Sequence, residues 1–245
     1  MPDLPPISSE TLETLRHIPT QTLIDGLWVK GWPMSFIHGA KPLQSGQHMA
    51  GRAVTLRFVP HRPDLAQDKP KGEQSAEYVA FELCGPEEVL VIDAMGWEYS
   101  SIGGDIKFLR LRQRNIGGLV TDGAVRDSIS LKEYGFPVYS AATTAKQGPA
   151  EFWPWQVNDA VQCGKVLVRP GDAIVGDDDG VVVVPRILVD QVIQIARERE
   201  EVEEVIKAQL IEEQCSPGKY YPFNDQTWKL FEEKTGKKRA PSSFL

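Results

Sequence analysis

The sequence has little of what marks a secreted, membrane-embedded or zinc-binding protein. Its 245 residues contain only three cysteines, Cys84, Cys163 and Cys215, which are odd in number and widely spaced. They indicate neither a disulfide framework nor a zinc ribbon, and a reducing compartment fits them. No apolar run approaches the length of a membrane span, and the first residues lack the basic start and apolar core of a signal peptide. We therefore expect a cytoplasmic protein with no membrane partner.

Basic residues are in the minority, and the formal net charge is -7. Proteins that bind nucleic acids usually present a basic face, so we expect no nucleic-acid partner. A small anionic substrate would have to meet local positive charge instead of a global field. The sequence also lacks the three-glycine dinucleotide motif, the phosphate-loop Lys-Ser/Thr pair and the Gly-x-Ser-x-Gly nucleophile elbow. A nucleotide cofactor is therefore not indicated.

Histidines and the one dense aspartate run give no sign of a metal cage. The four histidines are His17, His38, His48 and His61, and they show no ligand spacing. We expect them to be structural or superficial, with His38 and His48 the remaining candidates for a pocket. The run from Asp177 to Gly180 is followed by four valines, whereas a calcium-binding EF-hand loop needs a glutamate near its twelfth position. It predicts a hairpin turn.

Hydrophobic residues make up 41% of the chain, which is enough for one large core. No internal repeat or linker divides it, so we predict one domain, residues 1–245, with terminal extensions. The periodicity predicts these elements: two short helices across Ser9 to Gly31, broken near Pro19 and recapped at Thr20; a strand from Gly51 to Pro60; an exposed loop from His61 to Gly72; a helix from Glu73 to Leu83; a buried strand from Glu88 to Asp93; short strands from Val161 to Pro185; and a helix from Arg186 to about Gln214. The aromatic tail that follows should pack on the body or on a neighbouring subunit.

A strand–helix–strand unit carries the chemistry. Gly103-Gly104-Asp105 opens the amphipathic helix IKFLRLRQRN, and a second buried strand begins at Gly118. We expect this strand to end at Thr121-Asp122-Gly123, so that Arg126 and Asp127 lie just past its carboxyl end. The two strands should be parallel, and open sheets with helical crossovers bind ligands at that edge.

Three charged groups at two neighbouring crossovers point to a metal-assisted site. A lone aspartate after a strand is more often a turn former or a helix cap, but Asp127 lies beside Arg126, and Asp105 opens the neighbouring helix. A carboxylate completed by water suits a hard ion such as Mg²⁺ or Mn²⁺. The amides of Ile106 and Lys107 lack intrahelical partners at the helix start, where a substrate carboxylate could dock.

These motifs carry a family resemblance. The chain resembles the RraA-like proteins, which include class II pyruvate aldolases acting on 4-hydroxy-4-methyl-2-oxoglutarate and 4-carboxy-4-hydroxy-2-oxoadipate. The resemblance covers roughly residues 20–209 and rests on three features: Asp105 followed after twenty residues by Arg126-Asp127; GGLVTDGAVRD followed by GFPVY; and VQCGKVLVRPGDAIVGDDDGVVVVP. It implies an α/β fold, the swivelling β/β/α sandwich, here with N-terminal helices and a C-terminal extension over residues 215–245. It also implies homotrimers or homohexamers with active sites at subunit interfaces.

The resemblance also implies a role for each residue of the motif. Asp127 would hold the divalent ion mainly through one carboxylate oxygen and waters, and Asp105 would orient a water on that ion. Arg126 would contact the keto oxygen of a small 2-oxo acid substrate. The carboxylate of this substrate would bind at Gly104 and at the amides of Ile106 and Lys107. The implied reaction is metal-dependent retro-aldol cleavage to pyruvate, with oxaloacetate decarboxylation as a possible second activity.

The chain departs from this pattern in places that keep other functions open. Many relatives carry an acid three residues beyond the metal-binding aspartate, where this chain has Ser130. A glutamate from the adjacent subunit reaches the site in aldolase members, and Glu200, Glu203 and Glu204 are equally suitable counterparts. A sugar-acid dehydratase or isomerase could use the same enolate-stabilising site. A non-enzymatic regulator that binds a ribonuclease is the third reading.

Overall fold

The computed structural model describes residues 5–238. The strands are β1 (Lys41–Pro42), β2 (Met49–Pro60), β3 (Glu88–Asp93), β4 (Gly118–Val125), β5 (Val138–Thr143), β6 (Phe152–Val157), β7 (Val161–Cys163), β8 (Val166–Val168), β9 (Ala173–Asp177) and β10 (Gly180–Val184). The helices are α1 (Ser9–Arg16), α2 (Thr20–Val29), α3 (Ala76–Leu83), α4 (Asp105–Gln113), α5 (Ser128–Tyr134), α6 (Val189–Glu213) and α7 (Asp225–Thr235).

One eight-stranded sheet organises the fold. Its order is β1-β5-β4-β3-β2-β9-β10, and β6 also pairs with β2. The central pairs β2–β3, β3–β4 and β4–β5 are parallel, as the crossover connections require, and the outer pairs are antiparallel. The β9–β10 hairpin turns at Asp178-Asp179, which confirms the predicted turn.

The parallel strands are buried on both faces and separate two apolar layers. In β3, Leu90 and Ile92 pack with Phe81 of α3 and Phe108 of α4. The alternate residues of β3 pack on the opposite side against the small β7–β8 hairpin. Because side chains alternate across a strand, the apolar run EVLVID serves both layers at once. The chain is thus layered as hairpin, sheet and helices.

The N-terminal helices pack on the antiparallel end of the sheet. Leu15 of α1, Leu23 of α2 and Val192 of α6 share one cluster with the apolar faces of β9 and β10. The predicted cap at Thr20 was wrong, because Pro19 occupies the N-cap and offers no side-chain hydrogen bond. Instead, the amide and hydroxyl of Thr20 each donate to the buried carboxylate of Asp177 at 2.9 Å. A long-range acceptor therefore replaces the local cap.

The aromatic tail packs on its own chain. Tyr220 together with Leu230 and Phe231 of α7 covers Val202 and Ile206 of α6. Asn224 caps α7 in a capping box with Thr227, so the helix also has a strong local start. Burying one such apolar side chain stabilises a fold by about 1.5–3 kcal/mol, and the cluster therefore secures the tail.

Two predicted element boundaries, the start of α3 and the end of β4, were wrong. The helix predicted from Glu73 begins only at Ala76, after a short 3-10 turn over Gly72–Gln74. Strand β4 does not end at Thr121-Asp122-Gly123 but runs to Val125, with an irregularity in its register to β5 after Thr121. Asp122 is buried there and accepts the amides of Ala94, Gly96 and Gly164, so its carboxylate joins three segments.

Candidate active site

The site lies where β4 ends and two helices begin. Strand β4 stops at Val125, and Arg126 and Asp127 lead directly into α5. The loop after β3 brings Gly103 and Gly104 alongside, because the amide of Arg126 donates to the Gly103 carbonyl at 3.0 Å. Helix α4 starts immediately afterwards, at Asp105. The structure therefore brings Asp105, Arg126 and Asp127 together, although twenty residues separate the first two.

Backbone pairing on both sides holds the Gly103-Gly104 segment. Ser101 bridges Ala124 of β4 on one side and Gln147 on the other. The amide of Ile102 donates to the Ala124 carbonyl at 2.9 Å, and the amide of Ser101 donates to the Lys146 carbonyl at 3.0 Å. The segment acts as a short extra strand, so the start of α4 is placed by the sheet.

Asp127 has a backbone conformation that a bulky side chain would not adopt easily. It occupies the N-cap of α5 in the left-handed region, at φ 55° and ψ 41°, and its side chain does not cap that helix. Aspartate tolerates this region better than most residues, and such conformations concentrate at functional sites. Its Oδ2 instead accepts the amide of Asp105 at 3.1 Å, which caps α4 across the site. Asp127 is thus a helix cap, which was the alternative to a ligand role, but for the neighbouring helix and through one oxygen only.

The second oxygen of this carboxylate remains available. Within residues 5–238, Oδ1 of Asp127 accepts no hydrogen bond, and the side chain is 42% exposed. Nε of Arg126 lies 3.4 Å from Oδ2, with the guanidinium 43% exposed. At such exposure an ion pair contributes little to stability. Both groups are therefore presented to solvent and to a ligand.

Asp105 is held by hydroxyl groups of α5. Tyr134 donates to its Oδ1, and Ser130 donates to its Oδ2 over 3.4 Å. The bond to this carboxylate raises the pKa of Tyr134 to about 12, so the phenol is protonated at neutral pH. Sequence reasoning missed Tyr134. The signal was the four-residue spacing from Ser130, which places both side chains on one helical face.

Two cavities meet at Arg126. The larger, of about 610 Å³, is lined by Asp105, Arg126, Asp127, Ser128, Ile129, Ser130, Thr143, Thr144 and Ala145. The smaller, of about 130 Å³, is lined by Ser101, Ile102, Gly103, Gly104, Ile106, Lys107, Arg126, Gln147, Gly148 and Pro149. Arg126 is the residue common to both, so one guanidinium serves a carboxylate-rich chamber and a chamber at the start of a helix. Gln147 and the 143–145 segment had no sequence signal, because their position depends on the extra strand pairing.

The smaller cavity contains the predicted anion-binding amides. The N-cap of helix α4 is Gly104, which has no side chain to cap it, and Asp127 accepts only the amide of Asp105. The next amides, of Ile106 and Lys107, lack intrahelical acceptors. The helix dipole adds partial positive charge at this end. The Lys107 side chain is otherwise engaged, with Nζ 2.6 Å from Oε2 of the buried Glu77. The ammonium of Lys107 is thus paired, and its backbone amide is the group left open at the start of the helix.

The donor set suits a hard, largely hydrated cation. Among residues 5–238 no group of three histidine, cysteine, aspartate or glutamate side chains is placed to enclose a metal. The oxygen on offer is the unbonded Oδ1 of Asp127, and Asp105 lines the same cavity. Mg²⁺ keeps several waters and is commonly bound by one or two carboxylates together with its substrate. The residues therefore fit Mg²⁺ or Mn²⁺ and do not fit a zinc cage.

The other candidate residues lie outside this site in the described chain. His38 and His48 line neither cavity. The three glutamates of α6 also line neither; Glu203 faces Arg199 at 3.7 Å, and burial raises the pKa of Glu200. Within one chain, none of Glu200, Glu203 and Glu204 therefore contributes to this site.

The layered fold and this site define a member of a known class. The chain belongs to the RraA-like family, because the family model described as Aldolase/RraA matches residues 20–183. The family resemblance and the predicted α/β fold are thereby confirmed. Within residues 5–238, no helix has the length and apolar character needed to cross a membrane.

Similar proteins carry two kinds of name. Over 185 residues the chain is 31% identical to a protein of Halalkalibacterium halodurans named "Putative 4-hydroxy-4-methyl-2-oxoglutarate aldolase", and the match covers 76% of this chain and 81% of that protein. The crystal structure of Streptomyces coelicolor RraAS2, described as an unusual member of the RNase ES inhibitor RraA protein family, superposes with a TM-score of 0.73 at 30% identity, covering 82% of this chain and 97% of that one. An uncharacterized protein from Pseudomonas syringae pathovar tomato shares the fold with a TM-score of 0.73 at 23% identity, covering 88% and 98%.

Proposed function

We propose that this chain is a divalent-metal-dependent lyase that cleaves a 4-hydroxy-2-oxo acid to pyruvate by a retro-aldol reaction. The observation that carries the proposal is the position of Arg126 between the two cavities. One cavity presents the carboxylates of Asp105 and Asp127, and the other presents the free amides of Ile106 and Lys107. The aldolase name of the 31% identical relative supports the same class of reaction.

Each part of a 2-oxo acid has a complementary group at this site. The amides of Ile106 and Lys107 would bind the carboxylate, assisted by the helix dipole. Asp127 would hold Mg²⁺ or Mn²⁺ through Oδ1, with water in most other positions. When bound, such an ion would supply a Lewis acid that stabilises negative charge developing on the substrate.

Bond cleavage places charge where Arg126 lies. In the retro-aldol step the 4-hydroxyl loses its proton, a carbonyl forms at C4, and the electrons of the C3–C4 bond move to the oxo oxygen as an enolate. The guanidinium of Arg126 would stabilise that oxygen, since a preorganised donor acts on developing charge. Asp105 would orient the water that accepts the hydroxyl proton. Protonation of the enolate carbon then yields pyruvate.

Oxaloacetate decarboxylation is proposed as a second activity of the same site. Loss of carbon dioxide from oxaloacetate leaves the same pyruvate enolate, so Arg126 would stabilise the same charge. This reaction has no hydroxyl proton to remove. It should therefore depend less on Asp105 than the retro-aldol reaction does.

We also propose that the active unit is a homotrimer or homohexamer with its sites at subunit interfaces. Two large apolar side chains beside the cavities support this proposal, because Ile106 is 83% exposed and Ile129 is 76% exposed. Exposed apolar groups at a polar site are commonly covered by a partner. Light scattering during size-exclusion chromatography would report the mass. A monomer that retains full activity would contradict interfacial sites.

The deciding experiment measures pyruvate. Chelator-stripped protein would be incubated with 4-hydroxy-4-methyl-2-oxoglutarate or oxaloacetate, with and without Mg²⁺ or Mn²⁺, and pyruvate followed with lactate dehydrogenase. Metal-dependent pyruvate release is the expected result. Absence of pyruvate with every metal and both substrates would contradict the lyase.

Two alternative functions, a ribonuclease regulator and a sugar-acid enzyme, can be tested with the same purified protein. The resemblance to RraAS2 supports a regulator that binds a ribonuclease, which a pull-down with that enzyme would detect. Ser130, in place of the acid found in many relatives, leaves open a sugar-acid dehydratase or isomerase that uses the same site. Such an enzyme would consume a sugar acid without releasing pyruvate.

A further inference from the structure

Both oxygens of the Asp105 carboxylate are bonded to hydroxyl groups of one helix. Tyr134 donates to Oδ1 and Ser130 donates to Oδ2, and the phenol also lies 3.3 Å from the Asp105 backbone carbonyl. Residues four positions apart lie on one face of a helix, so α5 presents the two hydroxyls side by side to the first residue of α4. Each oxygen of this one carboxylate therefore accepts a hydrogen bond from a different hydroxyl group.

The aromatic ring of Tyr134 is packed between two other side chains. The guanidinium of Arg112 lies 5.3 Å from the Tyr134 ring centroid, and Phe136 stacks on the ring at 6.4 Å with 26° between the planes. Arg112 belongs to α4, as Asp105 does. Helix α4 thus contacts the tyrosine at both its ring and its hydroxyl, which limits the orientations open to Tyr134.

We infer that Ser130 and Tyr134 are positioning residues that form a hydroxyl clamp on Asp105 and fix the direction in which this carboxylate faces the reaction. The inference rests on the proposed function and deepens it. A carboxylate bonded at both oxygens cannot rotate freely, so its remaining lone pairs point in a fixed direction. Neither hydroxyl is required to touch the substrate for this role.

The first test measures the clamp without any activity. Protein labelled with carbon-13 at the tyrosine Cζ would be titrated by NMR to about pH 11, with circular dichroism to verify the fold, and Tyr134→Phe would identify the signal. In the wild type the Tyr134 signal should remain that of the neutral phenol. In Asp105→Asn it should titrate near the ordinary value of about 10. A Tyr134 signal unchanged by Asp105→Asn would overturn the clamp.

The second test measures turnover. Tyr134→Phe keeps the ring and its packing and removes only the hydroxyl. We expect kcat for 4-hydroxy-4-methyl-2-oxoglutarate to fall roughly ten- to a hundredfold with KM changed less than about twofold, because orientation is lost and substrate binding is not. Ser130→Ala should lose less, and Ser130→Thr should retain the wild-type rate. Tyr221→Phe, at a half-exposed tyrosine of the tail, is the matched control.

A double-mutant cycle separates positioning from general support of the fold. If Tyr134 acts through Asp105, then Tyr134→Phe should have no further effect on kcat in the Asp105→Asn background. An equal loss in both backgrounds, or wild-type kcat in Tyr134→Phe, would overturn the inference. If the wild-type protein releases no pyruvate at all, the proposed lyase fails, and the NMR titration still decides the clamp.

Discussion

A β-carbon at Gly104 would lie 2.3 Å from Oδ2 of Asp127, closer than side chains approach one another. The same atom would lie 2.6 Å from Cγ of Arg126. The start of α4 is therefore packed directly against both charged groups of the candidate site. A glycine at this position lets the helix amides and the two side chains share one small volume.

Gly104→Ala should therefore damage the site more than the fold. Asp127 and Arg126 are exposed enough to move away from the new methyl group. This movement would break the hydrogen bond by which the Asp127 carboxylate caps α4 at the amide of Asp105. A misplacement of this size can cost about 10²-fold in turnover. We expect weaker Mn²⁺ binding by isothermal titration calorimetry and slower pyruvate release.

The control for this change is Gly218→Ala. There the nearest atom to the added β-carbon would be 3.6 Å away, an ordinary contact. It should behave as the wild type does in both measurements. Wild-type Mn²⁺ affinity and turnover in Gly104→Ala would show that the close approach is not needed.

Asp127→Asn tests the metal site. Asparagine tolerates the left-handed backbone of this position, so the fold should keep its melting temperature, whereas Asp127→Ala adds backbone strain. Both variants remove the negative charge, and asparagine keeps a single side-chain oxygen to share between the Asp105 amide and a metal ion. Mn²⁺ binding, followed by electron paramagnetic resonance, should disappear together with activity. Retention of the ion in Asp127→Asn would place the metal elsewhere.

Arg126→Ala should separate catalysis from metal binding. The guanidinium lies near Oδ2 of Asp127 and leaves Oδ1 free, so Mn²⁺ affinity should change little. Turnover should fall by about 10²- to 10³-fold, on the order of 3 kcal/mol, which is typical when a donor to a developing oxyanion is removed. Arg126→Lys should recover only part of the rate, because an ammonium lacks the planar fork. Full activity of Arg126→Ala would contradict its assigned role.

Acid should weaken the attachment of the C-terminal tail through Glu213. Its hydrogen bond to Lys219 lowers the pKa of Glu213 from 4.5 to about 2. Because the folded pKa lies below the ordinary one, the stabilising contribution is fully present above pH 4.5 and is lost as the pH falls towards 2. The difference in melting temperature between the wild type and Glu213→Gln should therefore be largest near neutral pH and shrink across that window.

Glu232→Gln is the matched control, because Glu232 is an exposed glutamate of α7 with no side-chain partner among the described residues. This variant removes one exposed carboxylate and leaves the hydrogen bonds of Glu213 to Lys219 and Tyr220 in place. A Glu213→Gln difference that stays constant from pH 7 to about pH 2 would show that protonation of Glu213 does not matter for the tail.

The extent of β4 shows why some local predictions failed. Thr121-Asp122-Gly123 is a turn signal, and local propensity alone therefore predicts a break in the strand there. In the folded chain the Asp122 carboxylate accepts three backbone amides from other segments, and the strand continues to Val125. Those donors lie twenty-six to forty-two positions away in sequence, so local propensity could not reveal them. Thr20 follows the same rule, since its partner is Asp177.

The sequence by itself determined the periodic elements, the parallel strand–helix–strand unit and the grouping of Asp105, Arg126 and Asp127 at one edge of the sheet. Side-chain periodicity and the geometry of crossovers require no knowledge of distant contacts. Only the tertiary structure decided which oxygen of Asp127 is free, that its other oxygen caps α4, and that Ser130 and Tyr134 hold Asp105. Those contacts depend on how α4 and α5 pack, and helix packing fixes distances between side chains that no sequence spacing encodes.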